Sequence, residues 1–341
     1  MSITSVPQTP NEFRYGIAQQ IALGTAIADD AAFVELDCEQ AEVNYGVKQL
    51  DTTSSHGYRY KTDNDIITHQ YGVSPSVTLS GIANHNSIDY FSYAFCQSVT
   101  EAVATPYLKT FIVHASQPNF SDISAVSSAG QLLTVVLRDP EASKSVKLTD
   151  CVAKSLTYTW SQGEPLRYSV ELVSRAAASF SSNPSGTWTK VTSGDFFYFE
   201  DLDTVQIDST DFHLTEFELS LSQDVAPIGQ DGSGNFADYG LVNKQLGFKI
   251  KVVKDADWEA NLTAWTTNTA IVGDVKIGTG TVDGDITFDF RGKMNAETGA
   301  QKVYDDLVSG ELNGILTHDG TSAVPLTIGI ANAVDRTWVT A

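Results

Sequence analysis

The sequence predicts a mainly β protein of two tandem β-sandwich or barrel domains, residues 1–185 and 186–341, each with a short flanking helix. Three observations predict it. A unit of strand, long polar loop, strand and helix occurs twice, which is the signature of a repeated architecture. Period-two alternation of apolar and polar residues recurs along the chain, the mark of half-buried strands. At 341 residues and 42% hydrophobic content, the chain is long enough to bury two cores.

The clearer copy of the repeat lies in the second half. Residues 212–221 (FHLTEFELSL) and 246–253 (LGFKIKVV) read as strands, separated by a polar, Gly-rich loop at 223–244 and followed by a helical patch at 256–265. The first copy runs through a strand at 42–50, a polar loop at 51–74, a strand at 76–82 (SVTLSGI) and a helix at 87–95. Laid over each other, Val77 falls on Phe248 and Leu79 on Ile250. Loops this long inside compact domains are usually functional.

The remaining elements follow in order. Residues 1–12 read as a polar arm, 15–26 have no clear period, and 33–36 is a short strand. Residues 110–114 and 132–137 are short apolar runs typical of buried strands. Leu156, Tyr158 and Trp160 alternate with threonines, SQGEP turns, and Leu166, Tyr168, Val170 and Leu172 alternate back, which predicts a hairpin. The small, broken stretch 176–186 (AAASFSSNPSG) marks the domain boundary. Beyond it, 196–199 is an aromatic strand, and the strand at 212–221 changes phase between Leu214 and Phe217, predicting a β-bulge. Residues 275–277 and 285–290 form a hairpin about Asp283-Gly284. Residues 300–309 read as a short helix, with Val303 and Leu307 four apart and Gly310 as its stop, and 325–330 closes the second domain, with Trp338 packed beyond it.

Charge and chemistry exclude more than they select. The net charge of −21 divides as 11 Lys/Arg against 18 Asp/Glu (−7) over residues 1–185 and 10 against 24 (−14) over 186–341. Such a chain has no basic patch to neutralise phosphates, so tight nucleic-acid binding is disfavoured. Cys38, Cys96 and Cys151 form no close motif, and their odd number argues against a disulfide framework. The start carries no signal pattern and no apolar run reaches membrane length, so the chain is expected to be made and kept in a cytoplasm, with no membrane partner. His56, His69, His85, His114, His213 and His318 show no metal-ligand spacing, and His114 and His213 fall within expected strands. No nucleophile elbow, P-loop or dinucleotide fingerprint occurs. The acidic residues Glu200, Asp201, Asp203, Asp208 and Asp211, and the segment from Asp231 to Asp238, lack the calcium-loop spacing and read as a solvated face. The expectation is therefore no catalytic site, no cofactor and no metal.

In place of a site, the repeat offers surfaces. Phe248, Ile250 and Val252 point one way and Lys249 and Lys251 the other, while Glu218, Ser220 and Ser222 share the polar parity on the preceding strand. Antiparallel neighbours would set Lys249 and Lys251 across from Glu216 or Glu218, a few tenths of a kcal/mol for each pair. Such a face is either an ordinary solvated sheet or the lining of a water-filled channel between joined subunits.

These residues resemble a known family. RYGIAQQIALGTA near the start, the DCVAKSLTYTWSQGEPLRYSVELV hairpin, and LTEFELSLSQDV followed by ADYGLVNKQLGFKIKV and ADWEANLTAW are similar, in that order, to the two-domain tail tube (major tail) proteins of long-tailed, non-contractile bacteriophages. The first domain, with its loop at 51–74, fits that pattern loosely. The resemblance implies a structural virion protein of the phage tail, not an enzyme. Homotrimeric, pseudo-hexameric rings would stack into a hollow tube that encloses the tape-measure protein and conducts viral DNA without binding it specifically. Tail terminator and tail-tip proteins would be the other partners. Thr78, Ser80, Glu218, Ser220, Ser222, Lys249 and Lys251 would face the lumen. The loops carrying His56, Tyr58, Tyr60, Asp63, Asp224, Asp231, Asn235, Asp238 and Tyr239 would reach the adjacent ring or subunit. Another virion β-protein (tail-tip, decoration or receptor-binding) and a carbohydrate-active β-sandwich enzyme are the alternative readings.

Overall fold

The computed structural model describes residues 13–20, 22–25, 27–28, 33–53, 66–96, 98–102, 106–113, 131–139, 145–176, 178–181, 183–189, 196–230, 235–253, 266–279, 282–295, 301–304, 307–321 and 323–332. Among these the chain is mainly β, with a single α-helix. In the first half β1 (Arg14–Gln20), β2 (Phe33–Leu36), β3 (Gln40–Asn44), β4 (Val47–Thr53), β5 (Ile66–Val73) and β6 (Ser76–Ile82) precede α1 (His85–Phe95). After it come β7 (Ser98–Glu101), β8 (Tyr107–Val113), β9 (Leu132–Arg138), β10 (Ser145–Ser161), β11 (Arg167–Ser174), β12 (Ser179–Ser181) and β13 (Trp188–Thr189). The second half holds β14 (Thr204–Ile207), β15 (Thr210–Asp211), β16 (Leu214–Ile228), β17 (Asp238–Val253), β18 (Ile271–Ile277), β19 (Ile286–Met294), β20 (Gln301–Tyr304), β21 (Leu307–Leu316) and β22 (Leu326–Asn332).

The central sheet has the order β3-β6-β11-β10-β16-β17-β21, all antiparallel. Its strands alternate as their sequences dictate. Val77 and Leu79, Tyr168 and Val170, Leu156, Tyr158 and Trp160, Phe217 and Leu219, and Phe248 and Ile250 are buried on one side. The seventeen-residue β10 serves two layers. Its first residues pair with β9, which continues through β1 to β2, and its last pair with β11 and β16. Two register shifts, at Leu148/Cys151 and Ala153/Ser155, with Asp150 at φ 54°, give the bend that lets one strand change sheets.

Between the layers lies α1. Asn84 caps it by accepting from the Ser87 amide (3.0 Å) while Ser87 Oγ accepts from the Asn84 amide (2.9 Å). Every residue from Asn86 to Phe95 is buried, so the helix has no solvent-facing stripe and its few polar residues need partners inside the protein. Its polar groups are answered by the sheets: Tyr93 accepts from Gln19 (3.0 Å), and the Ser92 and Tyr158 hydroxyls lie 3.1 Å apart.

The two halves share this framework. β10 pairs with β16 over Ser155–Ser161, and β22 pairs with β8 over Tyr107–Val113. One apolar cluster runs from Ile17 to Ile330. The stretch 176–186 contributes β12, paired to β10, and leads into β13, which runs parallel to β2.

Several expectations are corrected. Most of the loop expected at 223–244 is strand, because β16 continues to Ile228 and β17 begins at Asp238. The loop at 51–74 likewise begins and ends in strand, β4 pairing with β5. Where a helix was expected at 300–309, the described residues are strand: Val303 lies on β20 and Leu307 on β21, which hydrogen-bond to each other. Gly310 stops nothing; like Gly314 it lies inside β21, where a Cβ on Gly314 would meet the Phe248 ring at 2.3 Å. The aromatic segment 196–199 makes two isolated bridges and a 3₁₀ turn in place of a strand. His213 precedes β16 and is exposed. The bulge expected between Leu214 and Phe217 is present, at Leu214/Glu216, and the hairpins β10–β11 and β18–β19 form as read. The helix expected at 256–265, His114 and Trp338 lie outside the described residues.

Candidate functional site: a polar sheet face with two open edges

All seven residues expected on a polar face share one side of the central sheet. Glu42, Thr78 and Glu171 lie in register across β3, β6 and β11, as do Gln40, Ser80 and Ser169. Further along, Thr159, Glu218, Lys249 and Asn313 align across β10, β16, β17 and β21, and Ser161, Glu216, Lys251 and Glu311 form the next row. Ser220 lies between Thr157 and Gly247, and Ser222 between Ser155 and Gln245. Alternation forces this: with the odd parity of β16 packed inward as Phe217, Leu219 and Leu221, its Glu and Ser residues can only face outward.

Carboxylates and cations interleave on this face. Glu216 bonds Lys251 and lies 3.4 Å from Lys249. Partial burial works to raise the Glu216 pKa, and the two lysines outweigh it and hold the carboxyl below its ordinary value. Lys154 pairs with Glu171 at 3.0 Å, and Arg167 with Glu39 at 2.6 Å. Half-exposed pairs of this kind add little stability; they keep a wide, wetted surface free of any strong field of one sign.

The sheet ends in edges that no other described strand pairs. β3 bonds only β6, and β20 bonds only β21. Inside the chain, by contrast, the outermost central-sheet strand of the first half (β10) adds directly to the outermost one of the second (β16).

Two hairpins extend beyond the sheet. In the second half, the distal parts of β16 and β17 form an arm that folds back on the first half. Tyr239 is fully buried there; its hydroxyl donates to the Ser174 carbonyl and lies 3.2 Å from Ser74 Oγ. Around it Leu132, Val152 and Val173 pack against Val225, Phe236 and Leu241. Arg175, 2.8 Å from Asp150, reaches the Phe236 carbonyl at 2.8 Å. At the root of the arm, Lys244 Nζ donates to the Phe95 carbonyl (3.2 Å) over the Phe95 ring, and withdrawal from water lowers its pKa to about 8. In the first half β4 and β5 form a separate two-stranded sheet.

Of the residues expected on inter-subunit loops, Asp224, Asp238 and Tyr239 therefore lie on strands, and Tyr239 is part of the chain's own core. Asn235 sits half-buried near the arm's tip. His56, Tyr58, Tyr60, Asp63 and Asp231 lie outside the described residues. Sequence reasoning missed the arm and its anchor. Tyr239 and Leu241 alternating with Asp238 and Gly240 was the available signal, obscured by the glycines of the adjoining tip.

The acidic residues at 200–211 act as local clips. Asp203 accepts from the Gly278 amide (2.6 Å), Asp208 from the Val272 amide (2.9 Å) and Glu200 from the Gly163 amide (3.1 Å). Among the described residues no group of three or more His, Cys, Asp or Glu side chains is placed to hold a metal ion. No described helix is long and apolar enough to cross a membrane.

The described chain is thus a mainly β protein organised about one broad polar sheet face. No protein-family model matches it, and comparison with curated proteins gives no match.

Proposed function

We propose that the chain is a structural virion protein that closes into rings, three copies to a ring, and that the rings stack into the hollow tail tube of a long-tailed bacteriophage. The junction between β10 and β16 carries this reading. It is a strand addition between two similarly built halves, and the strands that correspond to it at the two ends of the sheet, β20 and β3, are open. Strand addition across such edges satisfies backbone groups that are otherwise an aggregation liability. A head-to-tail contact of this type gives rings when its rotation closes. The polar face would then line the lumen, around the tape-measure protein and later the DNA. Its mixed charge, in a chain of net charge −21, suits passage without phosphate binding.

The internal junction sets the register of the external one. Trp160 faces Phe217 and Thr159 faces Glu218. Carried to the open edges through the pairings β11–β21 and β6–β17, Val303 falls opposite Ala41 and Lys302 opposite Glu42. The test is a charge exchange followed by sedimentation. Glu42→Lys and Lys302→Glu should each weaken self-association about 1.4- to fivefold per contact, since a directly opposite charge pair is worth roughly 0.2–1 kcal/mol. The double variant should restore it. Self-association indifferent to all three variants would refute the register.

A further inference from the structure

The second half of the chain carries a groove at the place that corresponds, by strand register, to the β6–β11 side of the seat its own arm fills on the first half. The correspondence follows from strand registers. Leu79 pairs with Val170 in the first half and Ile250 with Leu312 in the second. With Leu79 set on Ile250, Val173 therefore corresponds to Ile315, Ser174 to Leu316 and Ser74 to Gln245. Val173, Ser174 and Ser74 are the residues that Tyr239 packs on or bonds to. Val173 is 8% exposed under the arm, whereas Ile315 is 57% exposed. Gln245, Ile315 and Leu316 line an open groove of about 640 Å³ that also takes in Glu218, Ser220, Ser222 and Lys249, so an occupant would cover this end of the polar face and leave the rest to the lumen. Ile315 is thus open in a groove at the place where its counterpart Val173 is covered by the chain's own arm.

We infer that this groove receives the β4–β5 arm of a second copy of the chain. The two arms are built alike. Each prolongs the hairpin of its half, and each carries an extra residue in its second strand, at Tyr71 in one and at Asn243-Lys244 in the other. Counting outward from the first pair beyond that residue (Gln49↔Gln70 and Asp224↔Val242), Leu50 holds the place of Val225 and Ile67 that of Tyr239. Apolar residues thus recur at the places of Val225 and Tyr239, two of the arm residues in the filled seat, while His69 stands at the place of Leu241. Geometry agrees: adding β3 of one copy to β20 of another repeats the operation that adds β16 to β10, and the same operation lays the β4–β5 arm along β21. The inference rests on the ring reading, because it uses that edge contact.

Crosslinking separates the two. In a Cys38→Ser background, chains carrying Leu50→Cys are mixed with chains carrying Ile315→Cys, and Glu42→Cys chains are mixed separately with Lys302→Cys chains. Each mixture is treated with a short bismaleimide and read as covalent dimers on denaturing gels; Cys96 and Cys151 are buried. Dimers are expected in both mixtures, and Ile315→Asp in place of the cysteine variant should lower the yield of the edge crosslink severalfold by unseating the arm. Edge dimers without arm dimers would overturn the seat and leave the ring reading standing. Arm dimers without edge dimers would overturn the ring contact and retain the seat. Absence of both would overturn both.

Discussion

Lys109 and Asp89 form an ion pair with both side chains fully buried, Nζ to Oδ2 2.8 Å, and the same amine donates to Asn332 Oδ1 at 2.8 Å. The three residues belong to β8, α1 and β22, so this pair sits where the helix of the first half meets a strand of the second. A buried charge that loses its partner costs about 3–5 kcal/mol, whereas replacing both charges by apolar groups can be nearly neutral. Lys109→Met is therefore expected to lower the unfolding free energy by that amount, and Lys109→Met with Asp89→Leu to recover most of it. Denaturant titration of the three proteins checks this; additive losses would show that the two side chains act independently.

Tyr239 fixes the second arm. Tyr239→Phe keeps the ring but removes the bonds to Ser174 and Ser74, and should cost about 1–2 kcal/mol. Tyr239→Ala empties a fully buried site and should cost about 3–5 kcal/mol. Local opening comes before global unfolding where an anchor fails, so amides of residues 238–242 should lose exchange protection first. Uniform loss of protection across the whole sheet would mean that the arm is no separate unit.

Two glycines on the neighbouring strands β17 and β21, Gly247 and Gly314, give a contrast in backbone approach. A Cβ on Gly314 would meet the Phe248 ring at 2.3 Å and the Lys293 carbonyl at 2.6 Å; one on Gly247 would meet only Ser220 Oγ below 3 Å, at 2.8 Å, and that hydroxyl can rotate. Gly314→Ala should destabilise by about 1–3 kcal/mol through overpacking, and Gly247→Ala by less. Thermal unfolding of the pair measures the difference, and equal losses would contradict the packing argument.

Lys244 makes stability depend on pH. Its amine titrates near 8 in the folded chain against an ordinary value of 10.5. Between those values the unfolded chain holds a proton that the folded chain has released, so this residue's contribution rises with pH there and is constant below it. Lys244→Met removes the contribution. The gain in stability of Lys244→Met over the parent should be largest at pH 7 and shrink by pH 9.5; a constant difference would contradict the lowered pKa.

The parts of this architecture legible in the sequence are those set by alternation. The β10–β11 hairpin, the buried Phe217 and Phe248 faces, and the Glu216–Lys251 and Glu218–Lys249 rows follow from period two, since parity alone decides which side chains share a face. The seven residues of the polar face were readable for the same reason. Residues 300–309 misled because Val303 and Leu307, four apart, satisfy a helical stripe as well as a strand pair, and what decides is the distant partner β17. The arms were read as loops because the signal for strand is pairing with a distant segment, and in the second arm Asp224 and residues 226–230 are exposed. The seat under Tyr239 was invisible locally: Ser74, Val173 and Tyr239 are brought together only by the folded sheet.

Assembly into hollow tubes can be seen by negative-stain electron microscopy of the purified protein, concentrated and left to stand. Evenly striated tubes with a stain-filled channel, and end views with six similar lobes, are the predicted result. Single chains at every concentration, or solid filaments with no channel, would contradict it.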